Sequence, residues 1–226
     1  MSTPLRPSQV LAVGRNYLDH AKELGNDPPK SPLLFWKPPG ALILDGVCRL
    51  PRWEEPGPTR IDYEGEVVLL LGRDLGPGTA PLPDDPWTAV AGVAAGVDVS
   101  DRDLQKLEPQ WVRAKGFAGA MALGDPFPRP ADPDAIDLVT FLDGRTVQQG
   151  STGLLLFPFR DLLTWLHGWC PLRTGDAIFT GTPAGVGPLA PGQELRVEVR
   201  AGEALSSVKM RVEQGPRVPA FRRTTR

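Results

Sequence analysis

The sequence predicts an α+β fold, a mixed sheet with few and short helices, on three observations. First, 26 prolines and 25 glycines accompany 41% hydrophobic residues, a balance that reads as short strands joined by tight turns and not as disorder. Second, the most apolar stretch, YEGEVVLLLG, is partly β-branched and ends in glycine, as a buried strand does. Third, strands outnumber helices without strict alternation, which argues against a doubly wound sheet. A chain of 226 residues buries roughly 70% or more of its unfolded surface, enough for one sizeable core. A single domain over residues 1–226 is expected, with any internal boundary falling in the linker 51–60.

The elements follow in order. Residues 10–14 (VLAVG) read as a strand, after which Asn16 can N-cap a short helix through YLDHAKEL that Gly25 closes. LLFWK is a short strand stopped by Pro38 and Pro39, and ALIL reads as another. WTAVAGVAAGV reads as helix running into strand, and DVSDRDLQKLE as a strand end followed by a short helix. FLDGRTVQQG suggests a hairpin around Asp143-Gly144, LLLFPFRDLLTWLHGW a strand leading into a helix, and DAIFTG and ELRVEVR two more strands. The polar tail after Gln214, residues 215–226, is expected to fray.

Composition narrows the function. With 25 basic against 27 acidic residues and no basic-aromatic interleaving, nucleic acid is not an expected partner. The opening MSTPLRPSQVLAVG lacks the charged and apolar regions of a leader, and no run approaches a membrane span, so a cytoplasmic protein with no membrane partner is expected. Cys48 and Cys170 have no metal-type spacing and read as reduced, buried hydrophobes.

Several residues can carry chemistry. Glu64 and Glu66 are two apart in a strand and leave the same face, about 6–7 Å apart along the chain. As two surface glutamates at a strand start they need no function, but beside VVLLLG a buried carboxylate must be paired or coordinated. Asp98 ends the run AVAGVAAGV, where a strand opens to a cleft or a helix takes an N-cap. Three such carboxylates together repel by about 4 kcal/mol per close pair at an effective dielectric near 20, and a divalent cation removes that problem. All-oxygen ligands favour Mg²⁺ or Mn²⁺, with Ca²⁺ also compatible. His20 and Glu23, three apart on the short helix, share a face and suit either a general-base pair or an ordinary surface pair. Lys115 in WVRAKGFAG fits a fixed cation for an anionic intermediate or a surface lysine. TGTPAGVG fits a tight turn or a loop offering backbone N–H groups to an anion, and it lacks both P-loop and dinucleotide signatures.

Taken together, GRNYLDHAKE, PLLFWKP, DYEGEVVLLLG, GVDVSDRDLQ, WVRAKGF, GRTVQQGST and GDAIFTGTPAGVGP resemble the fumarylacetoacetate hydrolase family from about Val13 to Val199. The length resembles that family's small bacterial acylpyruvate hydrolases. The resemblance implies a mixed β-sheet roll, a homodimer, and a metal-dependent enzyme that hydrolyses a carbon–carbon bond in a small keto acid. It implies that Glu64, Glu66 and Asp98 bind Mg²⁺ or Mn²⁺, and that His20 and Glu23 activate water from a lid helix within residues 1–50. It further implies that Lys115 stabilises an oxyanion or enolate, and that Arg102, Gln105, Gly181 and Thr182 hold the substrate, with Lys37 a further candidate for the cleft. Oxaloacetate decarboxylation or tautomerisation, isomerisation of a 2-hydroxy-dienedioate, and a non-catalytic keto-acid-binding role share these motifs. The link from Gln105 to Lys115 is shorter than the family pattern and AGAMALGD is smaller and more apolar, so the substrate tail is the open question.

Overall fold

The computed structural model describes residues 6–23, 25 and 27–222. The chain opens with β1 (Val10–Gly14), almost wholly buried, then α1 (Leu18–Glu23), and returns as β2 (Leu33–Lys37) antiparallel to β1. It continues through β3 (Val47–Trp53), β4 (Ile61–Tyr63), β5 (Gly65–Leu71), β6 (Val90–Asp98) and β7 (Ser100–Asp101) into two short helices, α2 (Arg102–Leu107) and α3 (Val112–Gly116). Strands β8 (Met121–Leu123), β9 (Phe127–Pro128), β10 (Asp137–Leu142) and β11 (Arg145–Ser151) precede α4 (Phe159–His167), and β12 (Ala177–Phe179), β13 (Gly187–Pro188), β14 (Glu194–Ala201) and β15 (Ala204–Val218) complete it.

Three sheets result, so the fold is α+β with mixed sheets and few short helices. Among the described residues the largest runs β2-β1-β12-β5-β6-β8, with β9 also on β6; a second runs β11-β10-β14-β15-β3; a short third runs β13-β4-β7. β1 is parallel to β12 while β5 is antiparallel to both β12 and β6, which makes the first sheet mixed. All seven residues of β5 are buried, and each Val or Leu side chain there contributes roughly 1.5–3 kcal/mol by leaving water. That burial locks the register of the strands whose ends carry the carboxylates.

The Asp143-Gly144 hairpin forms as expected: both residues have positive φ (50° and 78°) and join Leu142 to Arg145. Four expectations are corrected. ALIL is not a strand: proline drives a 3-10 turn at Pro39–Ala41, and Leu42 makes only an isolated bridge to Met121. The segment LLLF before α4 is not a strand; residues Thr152–Leu154 form a 3-10 turn, and Leu155 pairs singly with Tyr17. The segment after Gln214 does not fray at once, because β15 runs on to Val218 and pairs with Trp53 of β3 across a register shift. Its last residues, 223–226, lie outside the described ones. Asn16 spends its side chain on tying segments together, donating to the carbonyls of Thr180 (2.9 Å) and Phe157 (3.3 Å) and accepting from the Phe157 N–H (2.8 Å). Gly25 does close α1, at φ 69° with its N–H on the Lys22 carbonyl at 2.9 Å.

Candidate active site and metal centre

Glu64 occupies the one-residue break between β4 and β5, Glu66 stands two residues on, and Asp98 ends the neighbouring strand β6. The Asp98 N–H donates to the Glu64 carbonyl at 2.9 Å, which draws the two chain segments together. Gly65 is required between the glutamates: a Cβ there would lie 2.0 Å from Thr140 Oγ1. All three carboxylates are buried, and one oxygen from each falls within 4.8 Å of the others.

Cations meet two of the three. Lys115 Nζ, on α3, donates to Glu64 Oε2 (2.7 Å), Asp98 Oδ2 (2.8 Å) and Ser100 Oγ (2.5 Å). Arg102 Nη2 lies 2.7 Å from Glu64 Oε1. Burial by itself would raise the Glu64 pKa, but Lys115, Arg102 and His20 outweigh it and hold the carboxyl below its usual range. Burial would likewise lower Lys115, but Asp98 and Glu64 outweigh it and keep the ammonium charged. Glu66 has no such partner among the described residues. Its Oε2 accepts the Gly181 N–H at 2.8 Å, while burial, then Asp98 and Glu64, push its pKa well above normal.

This donor set fits a divalent ion. It is all oxygen, it suits Mg²⁺ or Mn²⁺, and a 2+ charge is what allows Glu66 to ionise beside Glu64 and Asp98. The triad can therefore hold a metal.

Lys37 is not where a cleft residue would be. Its side chain is wholly buried behind Asp98, donating to Asp98 Oδ1 (2.6 Å) and to the Lys115 carbonyl (2.6 Å). Burial lowers its pKa, against the pull of Asp98. It braces Asp98 and the Lys115 segment and is not among the residues that line the cavity.

The glycine-rich loop resolves into an anion holder for the chain's own carboxylates. Gly181 (φ 102°) serves Glu66, and Gly185 (φ 101°) donates its N–H to Glu23 at 3.1 and 3.3 Å from the two oxygens. Gly181 thus reaches the site through Glu66, not through the cavity wall. Thr182 does line the cavity, its hydroxyl donating to the Gly65 carbonyl (2.8 Å) and accepting from Gln148 Nε2 (2.7 Å). Glu23 Oε2 stands 3.3 Å from His20 Nδ1, and His20 is 2% exposed and faces the cavity. Burial lowers the His20 pKa despite the opposing pull of Glu64 and Glu23, so the imidazole is neutral near pH 7.

The cavity has a volume of about 270 Å³ and brings His20, Glu64, Glu66, Arg102, Gln105 and Lys115 together. Its wall also includes Arg15, Phe35, Lys106 and Trp111, which sequence reasoning missed. Arg15 and Trp111 have left-handed backbones (φ 57° and 55°), and outside the Asp143 turn they are the non-glycine residues of the described chain that do. The short link after Gln105 was the available signal, since it forces α2 and α3 to meet through Trp111 and turns that ring against Phe35, centroids 5.5 Å apart.

The profile of the fumarylacetoacetate (FAA) hydrolase C-terminal family matches residues 9–213. The chain belongs to the fumarylacetoacetate hydrolase family. It is 33% identical over 202 residues to a mitochondrial oxaloacetate tautomerase of Oryza sativa, covering 85% of each chain. It superposes on a 5-carboxymethyl-2-hydroxymuconate delta-isomerase from Mycobacterium smegmatis with TM-score 0.78 and 32% identity, covering 95% of this chain and 82% of that one. It also superposes on fumarylpyruvate hydrolase from Pseudomonas aeruginosa in complex with Mn²⁺ and pyruvate, with TM-score 0.79, 26% identity, and 95% and 93% coverage. The family fold thus carries hydrolase and isomerase relatives on one architecture. No helix among the described residues is long and apolar enough to cross a membrane.

Proposed function

We propose that this protein is a metal-dependent hydrolase that cleaves a carbon–carbon bond in a small acylpyruvate-type keto acid. The observation that carries the reading is a buried carboxylate triad, two of whose members, Glu64 and Glu66, line one cavity with a neutral histidine bonded to a carboxylate. Glu64, Glu66 and Asp98 would hold Mg²⁺ or Mn²⁺, which would supply Lewis acidity to the site.

The chain's own groups do the rest. Arg102 and Gln105 offer donors to the substrate carboxylate. Glu23 takes the Nδ1–H of His20, which leaves Nε2 as the proton acceptor toward a water in the cavity. The hydroxide oxygen bonds to the distal carbonyl carbon, the carbon–carbon bond breaks, and its electron pair passes to the pyruvate half as an enolate. Lys115, charged and fixed by three oxygens, stabilises negative charge as it develops. Protonation of the enolate carbon gives pyruvate beside the carboxylic acid.

A second reading, decarboxylation or tautomerisation of oxaloacetate, is favoured by the small cavity and by the Oryza relative. A panel of acylpyruvates and oxaloacetate, assayed for pyruvate release with Mg²⁺, Mn²⁺ or EDTA, separates the two. Metal-dependent release of pyruvate with its matching acid supports the hydrolase. Activity on oxaloacetate alone moves the assignment, and tight pyruvate binding without turnover on any member identifies a binding protein.

A further inference from the structure

Arg102 is gripped from behind as well as facing the cavity. Its Nε donates to Asp62 Oδ2 at 3.0 Å and its Nη1 to Gln105 Oε1 at 3.1 Å. Its Nη2, although 2.7 Å from Glu64 Oε1, is not aligned for a hydrogen bond and is a buried polar atom without an acceptor. Asp62 is 1% exposed and is held by Arg60, whose Nε reaches Oδ1 at 2.7 Å and Nη2 reaches Oδ2 at 3.1 Å. One carboxylate thus sits between two guanidinium groups, and the inner one, Arg102, also lies against Glu64 at the cavity wall. Asp62 lies on β4 directly opposite Ser100 of β7, and the Ser100 hydroxyl is one of the three oxygens that fix Lys115. The small third sheet therefore carries an anchor of each cationic group, side by side.

We propose that Asp62, clamped by Arg60, is a positioning residue that holds Arg102 in place at the cavity wall for the incoming carboxylate of the keto acid. A free arginine has many rotamers, and ordering such a side chain at the moment of binding costs affinity. Asp62 removes that cost before substrate arrives, and through the Nη1 bond it fixes Gln105 as well. Asp62 touches neither the cavity nor the carboxylate triad, so its effect passes to substrate through Arg102. The inference rests on the reading above that Arg102 receives the substrate carboxylate.

The test uses the Mn²⁺-loaded protein with pyruvate as the binding probe, together with steady-state kinetics on the best substrate of the panel. Asp62→Asn keeps the shape and removes the charge. It is expected to raise the pyruvate Kd and the KM by about tenfold, the range of one immobilised side chain, with kcat within about twofold and Mn²⁺ affinity unchanged. Arg102→Lys is expected to raise the pyruvate Kd as well, and the double variant to be no worse than Arg102→Lys alone, because the two act as one unit. Losses that multiply in the double variant, or a parallel loss of Mn²⁺ affinity in Asp62→Asn, would show a merely structural carboxylate and overturn the proposal. Should Asp62→Asn not fold, Arg60→Ala frees only the outer bonds of Asp62, from a side chain that is 55% exposed. A rise in KM of a few fold at constant kcat is then expected, and an unchanged KM overturns the role. Wild-type protein that binds no pyruvate with Mn²⁺ present would defeat the functional reading itself and this inference with it, an outcome distinct from failure of the variants alone.

Discussion

The floor and the rim of the cavity are built in opposite ways. The floor carboxylates stand on or beside β5 and β6, strands buried along nearly their whole length, and each floor charge is fixed by named partners. The rim is made of α1, α2 and α3, of six, six and five residues, lengths that are not stable helices alone and depend on what they pack against. Two rim residues, Arg15 and Trp111, also hold a left-handed backbone that costs about 1–3 kcal/mol each. A rigid floor keeps reacting groups in register, whereas a rim of short elements can change size and charge without disturbing them.

His20 tests that division most strongly, since it belongs to a rim helix yet is the general base of the proposed reaction. His20→Ala is expected to lower kcat by about 10²–10⁴-fold, the range for loss of a general base, while Mn²⁺ affinity measured by calorimetry stays near wild type. Loss of Mn²⁺ affinity would erase the boundary between rim and floor. The wild-type pH profile adds a second readout. Burial lowers the His20 pKa, so the acid limb of kcat/KM is expected below the ordinary value of 6.5. The linked stability has the same sign: the unfolded chain binds the proton first, so the contribution of neutral His20 is complete above pH 6.5 and is lost as pH falls.

The next largest effect belongs to the floor. Lys37→Met leaves Asp98 Oδ1 buried without its cation, and breaking a buried pair from one side costs about 3–5 kcal/mol, read as the urea midpoint in metal-free protein. Mn²⁺ at a hundred times its Kd should restore about 2.7 kcal/mol by mass action. Lys106→Ala on the rim, where the side chain is 78% exposed, should shift stability by less than about 1 kcal/mol. Equal costs at the two positions would refute the contrast.

The same contrast explains what the sequence disclosed. Floor residues were legible because their chemistry conflicts with their surroundings: Glu64, Glu66 and Asp98 flank apolar runs where a carboxylate has to be explained, and strand periodicity sets Glu64 and Glu66 on one face. Lys37 was misplaced because a sequence gives the strand of a lysine but not which partner its long side chain reaches. Asp62 and Ser100 were missed since they act through β4 and β7, strands of three and two residues that periodicity cannot detect. The strand β15 past Gln214 escaped for another reason: its pairing with β3 is between residues far apart in sequence, as in Arg217 with Arg52, and residues such as Arg217 read as polar tail. At the rim, left-handed backbone at Arg15 and Trp111 has no sequence signature, because neither residue type favours it.

The smallest expected effect decides how separate the rim is. Trp111 meets Phe35 edge-on at 69°, and the Phe35 ring carries Lys115 Nζ 4.9 Å from its centroid; Lys115 is rooted on α3 but bonded to Glu64 and Asp98, so Trp111 reaches the floor carboxylates through one aromatic ring and one lysine. An edge-to-face pair is worth about 0.5–1.5 kcal/mol, which corresponds to a change of roughly 2–10-fold. Trp111→Ala and Trp111→Gly should therefore shift the ratio of kcat/KM between a bulky and a compact acylpyruvate by that amount, with kcat on the compact substrate near wild type. Glycine tolerates the positive φ and alanine does not, so the glycine variant should be the more stable of the two by thermal unfolding. A fall of more than tenfold in kcat on every substrate would mean that the ring holds Lys115 in place, and the chemistry would then depend on the rim as much as on the floor.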